Sequence, residues 1–261
     1  MIRIGTSGYH FADWAGPFYP SDLPKDQWLD YYATQFKILE INTTYYGVPK
    51  RSSVVRWAEQ TPADFRFIVK VHGDTTHKRE TGGEEIPALL ASLEPLRAES
   101  KLAGLLAQFP ASFRANASAK QYIHLIHSHT GEIPLFVEFR HLEWDTDDAV
   151  AFCQDEGLGW VTVDLPPIRS LMGARPAVTS STGYVRFHGK NAKTWYHPEL
   201  GDRYDWTYSE EELRNWLPRL RALVDRAEET YLFFNNCHAG QAIKSAALMR
   251  EILRQEQLEV G

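Results

Sequence analysis

Six charged side chains set out the chemistry this sequence could perform: Lys70, Arg140 and Arg186 against Glu40, Glu138 and Asp164. Each closes or nearly closes a short apolar run (ILEIN, FRFIVKVH, LFVEFR, WVTVD, YVRFHG). Arginine forks match the oxygens of a carboxylate or phosphate. A lysine in a low-dielectric pocket can lose its proton and act as a base or amine nucleophile. A carboxylate in the same cleft can serve as general acid or base. Glu138 is the first candidate for that role, with Lys70 tuning it or acting itself, and Asp164 and His188 are the other proton-transfer candidates. Arg140 and Arg186 would hold an anion, while Glu40, Asn42, Gln108 and Asn235 would orient hydroxyl or amide groups. His72, Asn236, Tyr45 and Trp14, at strand ends and in neighbouring loops, complete the expected substrate-binding set.

These residues converge only if the strands face them the same way. Side chains alternate along a strand, and a barrel strand has a lumen side and a helix side. If the apolar side faces the helices, Glu138 and Arg140 point inward on LFVEFR, Lys70 and His72 on FRFIVKVH, and Arg186 and His188 on YVRFHG. The same rule turns Glu40, Asn42, Gln108, Thr162 and Asp164 inward. It leaves Asn235 and Asn236 undecided.

The elements that would do this are legible. Eight runs read as strands: Ile2–Ser7, Ile38–Asn42, Phe65–His72, Gly104–Phe109, Leu135–Arg140, Gly159–Leu165, Tyr184–Gly189 and Tyr231–Asn236. They are rich in Ile, Val, Leu and Phe and bounded by Gly, Pro, Asn or Asp. Helices are expected between most of them: Ser52–Gln60 capped by Ser52, Ile86–Lys101, Ala117–Ser128, one after Asp145, one from the Ser209–Glu212 capping box to about Arg226, and a last one from about His238 to Gln255. Strand alternating with helix eight times predicts one α/β domain over residues 1–261, a (β/α)8 TIM-type barrel with its chemistry at the C-terminal ends of the strands. An open doubly wound sheet competes, but no Gly-x-Gly-x-x-Gly turn follows the first strand.

Other constellations are weaker. Gly189-Lys190-Asn191 and the NNCHAGQA run leading into the last helix suggest an anion site of loop amides and a helix N-terminus. Aromatic residues crowd three loops of the same rim, from Tyr9 to Tyr19, at Tyr45 and Tyr46, and from Trp195 to Tyr208. Flat rings above a polar floor suit sugars or nucleobases. His124, His127 and His129 resemble a metal cluster but should end a helix at the opposite barrel face. Cys237-His238 reads as structural, since adjacent residues seldom set up nucleophile geometry.

Composition narrows the partners. A net charge of -6 gives no overall pull toward nucleic acid or anionic membranes. The two cysteines, Cys153 and Cys237, make neither a disulfide framework nor a zinc pattern. No run approaches the ~20 apolar residues of a membrane span. The N-terminus enters a strand without a signal-peptide pattern, so the expected location is the cytoplasm.

At its most distinctive segments the sequence resembles the YecE-like family, domain of unknown function 72. These are IRIGTSGY (Ile2–Tyr9), Phe18-Tyr19-Pro20, EINTTYYGVP (Glu40–Pro49), VKVHGDTTH (Val69–His77), QFP (Gln108–Pro110), VEFRHLEW (Val137–Trp144), YVRFHG (Tyr184–Gly189) and FFNNCHAGQA (Phe233–Ala242). It departs at Tyr9-His10, where the family more often shows Trp followed by a small residue. The resemblance implies a barrel similar to those of sugar-phosphate isomerases and endonuclease IV-type phosphodiesterases, and no substrate.

The residues point to an enzyme acting on a small anionic or carbohydrate-like molecule by acid–base chemistry, with no metal or other cofactor. One rival is a metal-dependent phosphodiesterase acting on nucleic acid, with His72, His188 and the carboxylates as ligands. Another is a non-catalytic ligand-binding barrel.

Overall fold

Strand pairing in the computed structural model, which describes residues 1–261 apart from the side chain of Pro198, links eight parallel strands into one sheet whose first and second strands come together at its seam. The strands are β1 (Ile2–Thr6), β2 (Ile38–Ile41), β3 (Arg66–Lys70), β4 (Leu102–Gln108), β5 (Leu135–Glu138), β6 (Gly159–Asp164), β7 (Thr182–Phe187) and β8 (Glu229–Phe234). Between them run α1 (Trp28–Gln35), α2 (Arg51–Glu59), α3 (Glu85–Ser92), α4 (Glu94–Ala98), α5 (Ala117–Ser128), α6 (Asp147–Asp155), α7 (Glu210–Arg214) and α8 (Leu217–Val224), and α9 (Gln241–Gln255) follows β8. The expected (β/α)8 barrel is therefore present, and it is one domain. Among the described residues no helix is long and apolar enough to cross a membrane.

Local chemistry sets the helix ends. Asn116 and Thr146 accept backbone N–H groups at the starts of α5 and α6. Ser209 and Glu212 form the reciprocal capping box expected for α7. Two long helices foreseen in the sequence are each split. Pro95 and Pro218 sit in the first turns of α4 and α8, where a missing N–H does no harm, and each starts a new helix. The helix over residues 51–59 begins after Lys50 without a side-chain cap, so Ser52 does not play that part. One helix, α1, was not foreseen.

One crossover departs from the regular alternation: among the described residues, none of 165–181, between β6 and β7, is helical. The segment lies against the outer face of β6, where the carbonyl of Arg175 accepts from Trp160 Nε1 at 3.1 Å and Thr162 Oγ1 at 3.3 Å.

The barrel closes differently between β1 and β2. Seven of the strand junctions are hydrogen-bonded ladders, but this one is not. A single bridge joins Ser7 to Glu40, with the Gly8 N–H donating to the Glu40 carbonyl at 2.9 Å. Below it, the buried Tyr32 hydroxyl accepts from Thr6 N–H at 2.9 Å and donates to the Ile38 carbonyl at 3.2 Å. A side chain from α1 thus does the work of a missing ladder rung. Gly5 is required here, because any Cβ would collide with the Ile38 carbonyl.

Candidate functional site

Strand register decides which side chains share the lumen. Glu40 pairs with Ile68, Lys70 with Leu106, Gln108 with Glu138, and Arg186 with Val163 and Phe233. The floor of the lumen is aromatic, with Phe136 edge-on to Tyr184 and Tyr231. Gly104 and Gly159 flank Phe136 because a Cβ at either would strike its ring.

A charged layer rests on this floor. The Arg186 guanidinium grips Glu40 through Nε at 2.9 Å and Nη2 at 2.5 Å, and donates to Glu138 through Nη1. Nη2 also reaches Ser7 Oγ at 3.3 Å. Tyr184 donates to Glu40 at 2.7 Å, and Arg140 Nε to Glu138 at 2.9 Å. Burial opposes ionisation of Glu138, but Arg186, the His188 contact and Arg140 outweigh it and hold the carboxyl well below its usual range. Glu40 is likewise held low against burial by Arg186. His188 lies between Asn235 Nδ2, 2.9 Å from its Nδ1, and Glu138, 3.2 Å from its Nε2. Burial pushes its proton affinity down to about 4 despite Glu138, so the ring is neutral at neutral pH. Glu138 is therefore a fixed anion between arginines rather than a group poised to exchange protons. Arg186, expected to hold a ligand, spends its N–H groups on the protein's own acids.

Above this layer opens a cavity of about 800 Å³. Arg140, Lys70, Gln108, Asn42, Asn235 and Tyr45 all reach its wall, as the sequence suggested. Lys70 Nζ donates to Gln108 Oε1 at 2.9 Å and sits 4.7 Å from the centre of the Tyr45 ring. Among the described residues no carboxylate lies within ion-pair distance of it, and burial together with Arg186 and Arg140 brings its proton affinity down to about 7. The Arg140 guanidinium lies over the Trp195 ring at 5.4 Å. Among the described residues its Nη groups find no hydrogen-bond acceptor. Asn42 donates from Nδ2 to Glu40 at 2.9 Å. The carboxylate only accepts, so this fixes the amide's orientation. Its Oδ1 is buried without a partner, a state that costs about 1–3 kcal/mol.

Several wall residues were missed, among them Asp13 and Asp202, and two carry a cationic or titratable group close to Lys70 and Arg140 or to the Trp195 ring. His77 stands on the single π-turn Asp74–Lys78, beyond the end of β3, where alternation no longer applies. Burial, then Lys70 and Arg140, lower its proton affinity to about 4. Arg203 comes from the long loop after β7 and lies 5.9 Å from the Trp195 ring. The crowding of aromatic residues in that loop was the available signal.

Other expected members are not brought together. Asp164 and Thr162 face outward: Asp164 accepts from the Tyr208 hydroxyl at 2.5 Å in the helix layer, while Val161 and Val163 take the lumen side. Burial raises the Asp164 proton affinity there. His72 turns away from the cavity, with Nδ1 accepting the Asp74 N–H at 3.2 Å. Trp14 is wholly buried beneath the first loop and donates to the Cys237 carbonyl at 2.8 Å. Asn236 points outward to Ser245 on α9 at 3.0 Å, which resolves the ambiguity in favour of Asn235. Of the loop amides suggested for an anion, two are already bonded: Asp13 accepts the Ala239 N–H at 2.6 Å and the Tyr208 hydroxyl accepts the Gly189 N–H at 2.9 Å. Cys237 is buried with its thiol pushed up by burial, as a structural residue would be. His124 is exposed and paired with Glu156 at 2.7 Å.

One group of residues has the spacing of metal ligands: His72, Asp74 and Glu85, with ligand atoms within 4.8 Å of one another. Each is already engaged. Asp74 pairs with Lys78 at 2.7 Å, and Glu85 accepts from Thr75 and Thr81 at 3.1 and 2.9 Å. In the barrel mouth the arginines occupy the carboxylates a metal would need.

Comparison with known proteins agrees with this architecture. The family model described as protein of unknown function DUF72 matches residues 3–260. The UPF0759 protein YunF of Bacillus subtilis is 30% identical over 97% of this chain and 95% of its own length. The UPF0759 protein YecE of Escherichia coli K12 is 26% identical over 100% of this chain and 96% of its own. A DUF72 family crystal structure from Thermotoga maritima superposes with a TM-score of 0.89 at 38% identity, covering 97% of this chain and 99% of that one. Another from Enterococcus faecalis gives 0.86 at 26%, covering 97% and 96%. The chain belongs to the DUF72 family.

Proposed function

We propose that the barrel mouth is the active site of an enzyme that binds a small anionic metabolite and withdraws a proton from it, with Lys70 as the base. One observation carries this reading. Arg186 and Arg140 together balance the two buried acids, so Lys70 meets the cavity with no acidic partner within ion-pair distance among the described residues, and the Nη groups of Arg140 face it without an acceptor. An amine with no carboxylate in reach and a guanidinium edge with free N–H groups favour an anion, and an amine that is half neutral near pH 7 is matched to general-base work. Gln108 and Asn235 would orient the ligand's polar groups. A metal-dependent phosphodiesterase would need the carboxylates that Arg186 and Arg140 already hold.

Thermal melts in phosphate or sulfate, against a neutral buffer of matched ionic strength, test the binding step. The melting temperature should rise in the wild type and stay put in a Lys70→Met, Arg140→Ala double variant. No shift, or equal shifts in both proteins, would remove the case. Proton withdrawal is read by NMR as loss or exchange of C–H signals from phosphorylated sugars and nucleotides in D2O. It should depend on Lys70 and rise through pH 7, as the amine loses its proton.

A further inference from the structure

A second cavity, of about 580 Å³, opens beside the first. It lies over the β1–β2 junction, and Ser7, Phe11, Asn42 and Tyr46 belong to the walls of both. Its chemistry differs. Tyr9, Phe11, Leu29, Tyr46 and Trp57 give it a largely apolar, ring-rich lining, with Arg56 and Lys25 at its edge. An anion of a few atoms would occupy only a small part of the first cavity and none of the second.

Three features lie in sequence from one space to the next. The first is the cationic wall of Lys70 and Arg140. The second is the polar wall that the two cavities share at Ser7 and Asn42. The third is the aromatic slot. A ligand that satisfies all three carries an anion, then a hydroxyl or N–H donor, then a flat ring. We infer that the two cavities form one composite site for a nucleoside monophosphate, with the phosphate at Lys70 and Arg140, the ribose along the polar wall shared at Ser7 and Asn42, and the base against the rings of Tyr46 and Trp57. The anion end rests on the reading proposed above, whereas the ring end rests on the second cavity alone.

The two ends can be tested separately. Affinities for AMP, UMP, ribose 5-phosphate and inorganic phosphate are measured by calorimetry at one ionic strength. The nucleotides should bind more tightly than ribose 5-phosphate by about ten- to a hundred-fold, the range that base–aromatic stacking supplies. Trp57→Leu and Tyr46→Ala should each erode that advantage and leave ribose 5-phosphate binding unchanged. Tyr46 is 84% exposed, so its removal does not endanger the fold. Asn42→Asp puts a carboxylate beside Glu40 and should weaken ribose 5-phosphate and the nucleotides alike, relative to inorganic phosphate. If the nucleotides bind no better than ribose 5-phosphate, or keep their advantage in both ring variants, the composite site is wrong and the anion reading survives. If none of the four binds, the anion reading fails and the composite site falls with it.

Discussion

Replacing Lys70 by methionine should make the protein more stable, and the gain should depend on pH. Bringing a lysine's proton affinity from 10.5 to about 7 corresponds to about 5 kcal/mol, at ~1.4 kcal/mol for each tenfold change. That figure is a ceiling, because the amine faces a cavity open to water, which screens it. Methionine also gives up the hydrogen bond to Gln108, worth about 1 kcal/mol, and the contact with the Tyr45 face, worth about 0.5–2 kcal/mol. The net gain at pH 6 is then about 1–3 kcal/mol, or about 3–8 °C in melting temperature for a chain of this length. The direction with pH follows from linkage. Between pH 7 and 10.5 the unfolded lysine holds a proton that the folded one has released, so wild-type stability rises across that window relative to the variant. Urea denaturation of both proteins at pH 6, 8 and 10 measures the difference directly. Other groups titrate alike in both proteins and cancel, except His77, whose proton affinity Lys70 helps to lower and whose titration lies below the pH 8 to 10 comparison. A variant less stable than wild type at pH 6, or a gap that stays constant from pH 6 to 10, would refute the account of a strained, unpaired amine.

Two other perturbations address the frame around the site. Glu138→Gln leaves Arg186 and Arg140 short of a buried counter-charge and should cost about 3–5 kcal/mol, so a wild-type urea midpoint would mean that water reaches the layer. Tyr32→Phe keeps the ring packing but strands the Thr6 N–H and the Ile38 carbonyl, at about 1–3 kcal/mol. Hydrogen exchange at Thr6 should speed up by a matching factor, and unchanged exchange there would show that the hydroxyl closes nothing.

Strands β2, β3, β5 and β7 could be read because each alternates sharply between large apolar and charged residues. That contrast put Glu40, Lys70, Glu138, Arg140 and Arg186 in one layer. The same rule failed on β6, where both faces have reasons to be mixed. The lumen side of β6 carries Val161 and Val163, part of an apolar wall. Its outer side carries Trp160, Thr162 and Asp164, whose polar atoms are satisfied by a helix-free crossover and by Tyr208. Alternation assumes that apolar means outward, and it cannot know that a polar partner waits in the helix layer. His72 and His77 show a second limit. The strand ends at Lys70, and four residues beyond it the backbone enters a π-turn that exchanges one histidine for the other. The state of charge within the layer was also out of reach. Sequence lists acids and bases, but only geometry shows Arg186 gripping two acids and leaving Lys70 with none.

The unlatched junction between β1 and β2 also sets an order of events in time. Among the described residues the strand that ladders with β1 is β8, which begins at Glu229, and the bridge from Ile2 to Val260 lies later still. On a ribosome adding about 5–20 residues per second, that partner emerges about 10–40 s after β2. Arg186, the counter-charge of Glu40, is also made long after it. During this interval the first strand can be held only from nearby, and Tyr32, 26 residues away, offers the bond. The hydroxyl is thus available as a local tether for β1 in the nascent chain, which keeps the strand edge beside β2 until β8 arrives to close the cylinder.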